Sequence, residues 1–318
     1  MNFNHIHYFL LTAQEASFSR AAQRLHITQQ TLSGQIAALE KELGCRLFLR
    51  HVPLELTYGG KVFLEYARQI QERYRSMEQA FQDIRHQEKG CLRLGIAFTR
   101  SHILLPPLLQ RFQKRYPLME VEVAEASNAE LLRQLQEGET DLMIGYFPEP
   151  VGGIQTRVLQ LEEIQLVVAD TLLEQVYGPE KETVIRQLQK SRDPRVLRAC
   201  PFLRTDVADL AGYLVMKLLN RLQFVPRQKV KAHNLEMLLE LCVQGAGVCF
   251  APDYLVEGFL SPEKRAKLLQ VPLGESLRYP ICFGWRTENY QWSMLEKFMA
   301  CALGDLATDV PYGPSLRK

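Results

Sequence analysis

A long helix-forming run divides this 318-residue chain into two parts of different character. From Gly60 to Lys89 no internal proline or glycine interrupts the sequence, so one helix is expected over that span. Phe63, Tyr66, Ile70, Arg73, Met77, Ala80 and Ile84 follow a 3-4-3-4-3-4 spacing, and all but Arg73 are apolar, aromatic or small. A 3.5-residue period sustained this long is what a partner helix selects. Phe63, Tyr66, Ile70, Met77 and Ile84 are therefore expected at a self-association seam, with Arg73 setting its register. Packing on its own domain is the alternative.

The residues before this helix are short, amphipathic and turn-rich. Ile6, Phe9, Leu10 and Ala13 mark a first helix, and Ser17 precedes a second with Ala21, Ala22 and Leu25 inward. After a turn at His26-Ile27, Thr28 is placed to cap a third helix with Leu32, Ile36, Leu39 and Leu43 as its stripe and Gly44 at its end. Extended segments Arg46–Arg50 and Glu55–Thr57 around Pro53 complete a winged helix-turn-helix pattern.

Beyond Gly90 strands alternate with helices. The expected strands are Cys91–Ala97, Glu120–Glu125, Asp141–Gly145, Ile164–Ala169, Pro201–Arg204, Gln228–Ala232, Val248–Ala251 and Ile281–Trp285. Helices fall between them, with the last at Tyr290–Ala302. This order predicts a covered parallel sheet folded as two α/β lobes that share crossing strands. The fold class expected is thus α plus α/β: a winged helix-turn-helix (1–59), a linker helix (60–89) and a two-lobed, periplasmic-binding-protein-like domain (90–303). Lobe I is placed at about 90–163 and 269–303 and lobe II at 164–268, with a poorly ordered tail at 304–318. The stretch 170–197 is longer than such a lobe needs and has no functional reading.

Catalytic templates are missing. No GxSxG, HExxH, Walker A or post-strand GxGxxG occurs, and the seven histidines are scattered, so neither an enzyme, a metal site nor a cofactor is expected. The seven cysteines form no CxxC pair, which suits free thiols in a reducing compartment. No apolar run has membrane-spanning length, and MNFNHIHYFLL lacks a basic leader and a cleavage site, so a cytoplasmic location is expected.

The segment SFSRAAQRLHITQQTLSGQIAALEKELGCRLFLR, residues 17–50, resembles the DNA-binding domain of LysR-type transcriptional regulators. Leu56-Thr57 and Gly60 continue the match. Leu105-Pro106, Phe112, Tyr116-Pro117, Gly138, Asp141-Leu142 and Gly245-Ala246-Gly247 with Pro252 match the effector domain. The resemblance implies a transcriptional regulator that binds an interrupted palindrome of double-stranded DNA as a homodimer or homotetramer. A small-molecule effector would sit between the lobes, RNA polymerase would be a possible further partner, and no membrane would be involved.

The residues support this reading. Thr28, Gln29, Gln30, Thr31 and Ser33 occupy the start of a recognition helix, where side chains meet base edges. Ser17 and Thr28 open helices whose amides suit phosphate, and Arg46, Arg50 and Thr57 complete the DNA-contact set. Through Gly60 five basic residues (Arg20, Arg24, Lys41, Arg46, Arg50) face four acidic ones (Glu15, Glu40, Glu42, Glu55), so non-specific affinity per subunit is expected to be modest. Two departures from the family pattern are Gly34, where a basic or polar residue is usual, and a short wing tip, HVPLE, without Lys or Arg.

The carboxyl ends of the strands nominate the effector site: Thr99, Arg100 and Ser101, then Ser127 and Asn128, Tyr146 and Phe147, and Thr205 and Asp206. Thr99 and Ser101 suit an organic anion, Arg100 either strengthens that or faces solvent, and Tyr146 and Phe147 offer an apolar wall. Ser101 and Asn128 also read as plain helix caps. Two alternatives from other classes are a solute-binding module dimerised by its N-terminal helices, and a thiol redox sensor using Cys242 and Cys249.

Overall fold

The computed structural model describes residues 2–49, 51, 53–85, 88–205, 210–287 and 290–304. The chain forms two compact units, Met1–Gln87 with Glu288–Trp292, and Glu88–Thr287 with Ser293–Lys318.

The first unit is helical. α1 (Phe3–Glu15), α2 (Phe18–Arg24) and α3 (Gln29–Leu43) precede a two-stranded wing, β1 (Phe48–Leu49) and β2 (Glu55–Leu56), and then α4 (Tyr58–Ile84). Ile6, Phe9, Ala21, Ala22, Leu32, Ile36, Leu39, Leu47, Phe48 and Ala67 form its core. The Phe9 ring lies 5.2 Å from Phe48 and 4.7 Å from Phe63. Thr12 takes a core position that Leu10 and Ala13 were expected to share, its hydroxyl satisfied by the Tyr8 carbonyl at 2.7 Å. Leu43 departs from the expected stripe. It is 40% exposed, because Gly44 (φ 70°) turns the chain away one residue later.

The wing strands are shorter than expected, pairing only Phe48 with Leu56 and Leu49 with Glu55. Arg46 precedes them and Thr57 follows as the cap of α4. The long helix starts earlier than Gly60 and ends at Ile84, since Lys89 is drawn into a strand paired with Leu118. The expected seam also divides. Phe63 and Ile70 pack against the core of their own unit. Tyr66, Met77 and Ile84 remain 59%, 46% and 68% exposed, joined by Val62 and Phe81.

The second unit opens with β3 (Lys89–Ile96), α5 (Phe98–Arg115), β4 (Leu118–Glu125), α6 (Asn128–Gln136) and β5 (Leu142–Gly145). β3 lies between β4 and β5, parallel to both, as the βαβαβ order requires. β6 (Ile154–Ala169) is one 16-residue strand, of which only the second half was expected. It leads to α7 (Asp170–Tyr177) and α8 (Lys181–Ser191), then β7 (Phe202–Thr205), α9 (Leu210–Arg221), β8 (Gln228–Ala232) and α10 (Leu235–Val243). The chain continues through β9 (Cys249–Pro252), α11 (Asp253–Phe259), α12 (Pro262–Arg265), β10 (Leu268–Pro272), β11 (Arg278–Arg286) and α13 (Ser293–Leu303).

The sheet is mixed rather than wholly parallel. β11 pairs antiparallel with both β5 and β6, and β6 pairs antiparallel with β9 and β10. A strand that crosses between lobes and one that returns must run in opposite directions. Ile154–Glu163 of β6 pairs with β11 in lobe I, and Ile164–Ala169 with β9 and β10 in lobe II. Residues 269–272 therefore belong with lobe II, not lobe I as expected, because β10 is bonded to Gln165–Ala169. The unexplained 170–197 stretch is α7, α8 and two short 3-10 turns. Residues 305–318 of the expected tail lie outside the described residues.

Candidate DNA-reading surface and effector cleft

The first turns of α2 and α3 are fixed by side-chain caps. Ser17 Oγ accepts from Arg20 N at 3.4 Å, and Thr28 Oγ1 accepts from Thr31 N at 3.1 Å while sharing a 2.8 Å bond with the Thr31 hydroxyl. The turn between them passes through His26 at φ 54°. Ser19 Oγ donates to Gln29 Oε1 at 3.1 Å, which ties α2 to the start of α3 and orients Gln29. Gln30 is exposed and Ser33 half-buried. Gly34 faces open space, with nothing within 4 Å of where a Cβ would stand.

The wing is held by a carboxylate. Buried Glu40 accepts from Leu47 N at 2.8 Å and Phe48 N at 3.3 Å, joining α3 to β1. Arg46 is exposed, but the Thr57 hydroxyl is committed, donating to the Arg46 carbonyl at 2.6 Å and accepting from Gly60 N at 2.9 Å. Thr57 is thus a cap whose hydroxyl is already used, which corrects its expected contact role. Arg50 lies outside the described residues. Arg20 and Arg24 are both paired with Glu15, at 3.6 and 2.8 Å.

Between the lobes lies a cavity of about 420 Å³. Its lining includes Thr99 and Arg100 at the start of α5, Ser127 and Asn128 at the start of α6, and Asn234, Leu235 and Glu236 at the start of α10. α6 and α10 are capped by Ser127 and Asn234, whereas Ala97, the N-cap of α5, offers no side-chain bond. Their N-terminal amides and dipoles favour negative charge. Thr99 Oγ1 and Tyr254 Oη, from opposite lobes, stand 3.5 Å apart.

Arg100 is not a free cation for a ligand. Its Nε and Nη2 donate to Glu162 at 2.9 and 2.7 Å, and the two residues are 5% and 0% exposed. Burial opposes the guanidinium charge, but the Glu162 carboxylate outweighs it and holds Arg100 firmly protonated. Gln160 also donates to Glu162, at 2.9 Å. Burial first, and Glu162 second, push the Tyr279 phenol well above its ordinary range. A buried polar network on the crossing strands thus floors the cavity.

Four of the nine nominated effector residues line this cavity: Thr99, Arg100, Ser127 and Asn128. Asn128 is spent on the backbone of Tyr146, donating to its carbonyl and accepting from its amide, each at 2.8 Å. Ser101 is buried, and its hydroxyl stands within hydrogen-bonding distance of two acceptors, the Phe98 carbonyl and the Glu125 carboxylate, donating its one proton to either. It sits inside the first turn of α5 as an interior bond, neither a cap nor part of the wall. Tyr146 stands behind Tyr279, ring to ring at 5.9 Å, and Phe147 packs into the lobe I core, so neither lines the cavity. Thr205 does not line it either, although its buried Oγ1 has no hydrogen-bond partner among the described residues. Asp206 lies outside the described residues. The sequence reading missed His233, Asn234, Glu236, Tyr254 and Tyr279, which come from distant segments.

Cys242 and Cys249 are fully buried, and burial pushes the Cys242 thiol up to about 12. The Cys249 thiol is raised well above its ordinary range too, again by burial first and then by Cys242. Reactive thiols need the opposite environment, so the redox-sensor alternative loses its chemistry. No helix among the described residues is long and apolar enough to cross a membrane.

A winged helix-turn-helix joined to a two-lobed domain with a ligand-sized cleft defines a ligand-responsive DNA-binding protein. Two family models make this specific: the bacterial regulatory helix-turn-helix protein, lysR family, matches residues 3–61, and the LysR substrate binding domain matches residues 85–307. The chain belongs to the LysR family of transcriptional regulators. It is 31% identical over 264 residues to the HTH-type transcriptional regulator YcgK of Bacillus subtilis, covering 80% of each chain. To AlsR of the same organism it is 27% identical over 259 residues, covering 80% of this chain and 81% of that one. Among solved structures, a full-length OxyR variant from Pseudomonas aeruginosa shares its fold at TM-score 0.69 and 21% identity, covering 95% and 94% of the two chains. Full-length CbnR complexed with its target DNA does so at TM-score 0.61 and 24% identity, covering 96% and 99%. The protein is therefore a LysR-type regulator with a helix-turn-helix DNA-binding domain and an effector-binding domain. Its family is one of regulators, not enzymes.

Proposed function

We propose that this regulator reads an interrupted DNA palindrome with Gln29, Gln30, Thr31 and Ser33, and answers to a small organic anion held in the cleft. Ser17, Thr28, Arg46 and Arg50 position the unit on phosphates. Dimers form through the exposed apolar stripe of α4 and associate as tetramers, in the cytoplasm and in reach of RNA polymerase. The geometry of α3 supports the first part, since its capped N-terminal turn leaves Gln30 exposed.

The observation that carries the effector class is the cavity wall. It is built from the first turns of α5, α6 and α10, while Arg100, the one guanidinium among its described lining residues, is neutralised by Glu162. Partial helix charges and hydroxyls suit one carboxylate better than two. An effector acts only if it binds two conformations unequally. The test is a thermal-shift panel of mono- and dicarboxylates on wild type and Thr99→Val. A monocarboxylate that raises the midpoint of wild type and not of Thr99→Val is expected. Stabilisation by uncharged or cationic compounds alone would overturn the anion reading.

A further inference from the structure

Charge is unevenly spread along this chain. The whole sequence carries +2, yet residues 181–204 hold seven basic side chains against two acidic ones. That local +5 leaves the remainder at −3. The stretch covers α8, the 3-10 turn Pro194–Leu197 and the strand β7 that follows. Leu188, Pro194 and Leu197 anchor it to lobe II by burial.

Some of these cations are used internally. Lys181 pairs with Asp170 and Glu174, and Arg195 with Asp193. Lys190, Arg192 and Arg198 are exposed and have no acidic partner among the described residues. Arg227, on the connection from α9 to β8, joins them. The Tyr177 phenol and the Cys200 thiol lie in electrostatic reach of each other, with Arg198 in reach of the first and Arg227 of the second. Tyr177 Oη donates to the Val196 carbonyl at 3.1 Å, Arg195 Nη1 to the Leu222 carbonyl at 3.5 Å, and Phe202 N to the Arg227 carbonyl at 2.8 Å. These bonds tie the 3-10 turn to the end of α7 and to the α9–β8 connection, and the connection to β7, while α8 runs through its C-cap Arg192 directly into the turn.

We propose that this part of lobe II is a second DNA-contacting surface, on which Lys190, Arg192, Arg198 and Arg227 engage the phosphates of duplex DNA. The inference rests on the chain being a DNA-binding regulator, but it adds a site outside the helix-turn-helix. In the winged-helix unit two of the five basic residues through Gly60, Arg20 and Arg24, are bound to Glu15. DNA affinity grows with the number of phosphates neutralised. Phosphate contacts need charge and reach rather than a matched base edge, which exposed Lys and Arg provide. A duplex is also the polyanion that this family's function brings to the protein.

The test needs no operator. Full-length protein is titrated with a random-sequence duplex of about 60 base pairs over a range of salt, and log K is plotted against log[NaCl]. Lys190→Ser with Arg198→Ser is expected to flatten the slope by about 1.8, at about 0.9 for each phosphate that is no longer neutralised. Lys114→Ser with Arg115→Ser, which removes the same charge from α5, is expected to keep the wild-type slope. Lys190→Gln with Arg198→Gln repeats the measurement should the serine pair alter the thermal midpoint. A wild-type slope in the lobe II variants, or equal flattening in the α5 control, would overturn the proposal. Gln29→Ala separates this outcome from failure of the recognition helix, since it removes sequence preference and leaves the slope on random DNA intact.

Discussion

Glu162 and Arg100 stand 62 positions apart in sequence yet form the most deeply buried ion pair described in the cleft domain. Removing one partner strands the other charge in a low-dielectric site. Glu162→Ala is therefore expected to destabilise the domain by about 3–5 kcal/mol, whereas replacing both residues by apolar ones of similar volume costs far less. Chemical denaturation of the two variants side by side checks this. The thiols give a prediction with a pH sign. Cys242 ionises near 9 when unfolded and at about 12 when folded, so its neutral form is favoured by the fold. That contribution is fully present below about 9 and is lost as pH rises towards 12. Alkylation at pH 8 followed by mass spectrometry is expected to label exposed Cys45 and to spare Cys242 and Cys249. Rapid labelling of the buried pair would restore the redox reading.

At the scale of elements, the sequence was most legible where burial follows one period. Leu32, Ile36 and Leu39 were placed correctly because α3 rests on a continuous core. Gly60 was legible only as a matching residue. The structure supplies its cause, since a Cβ there would enter the Leu47 carbonyl oxygen. β10 was missed because Leu268–Pro272 has no alternation and takes its order from β6. The same limit applies to the cleft. Thr99 and Ser127 follow from strand-end rules, but Tyr254, Tyr279 and Glu236 reach the cavity only through the lobe crossing. Local pattern also could not show that Glu162 claims Arg100 or that Tyr146 lies behind Tyr279. The seam on α4 had a correct period but mixed neighbours, since Ile70 belongs to the core of its own unit and Met77 does not. Met77→Asp with Ile84→Asp is thus expected to split dimers while the monomer stays folded, as light scattering and thermal melting would show. Ile70→Asp is expected to unfold the winged-helix unit instead. An unchanged mass for the Met77 and Ile84 pair would place self-association elsewhere.

For the whole molecule, two surfaces of unlike chemistry share one chain. α3 offers amides and neutral hydroxyls whose value lies in discrimination, because Gln pairs with adenine edges while the surrounding charge is nearly balanced. The cleft offers helix termini and a buried polar floor on strands common to both lobes, so a ligand that prefers one lobe arrangement shifts the population of the whole domain. Coupling between the two need be only about 1–3 kcal/mol to change operator affinity about five- to 150-fold. Sequence discrimination by α3 is the claim on which regulation depends. The most direct measurement is a gel-shift titration against DNA flanking the protein's own gene, at fixed salt and with competitor DNA, for wild type and Gln29→Ala with Gln30→Ala. Discrete complexes that survive competitor with wild type and are lost with the variant are expected, with equal binding of both proteins to random DNA. Equal survival of competitor by the two proteins would contradict the assignment of α3 as the reading helix.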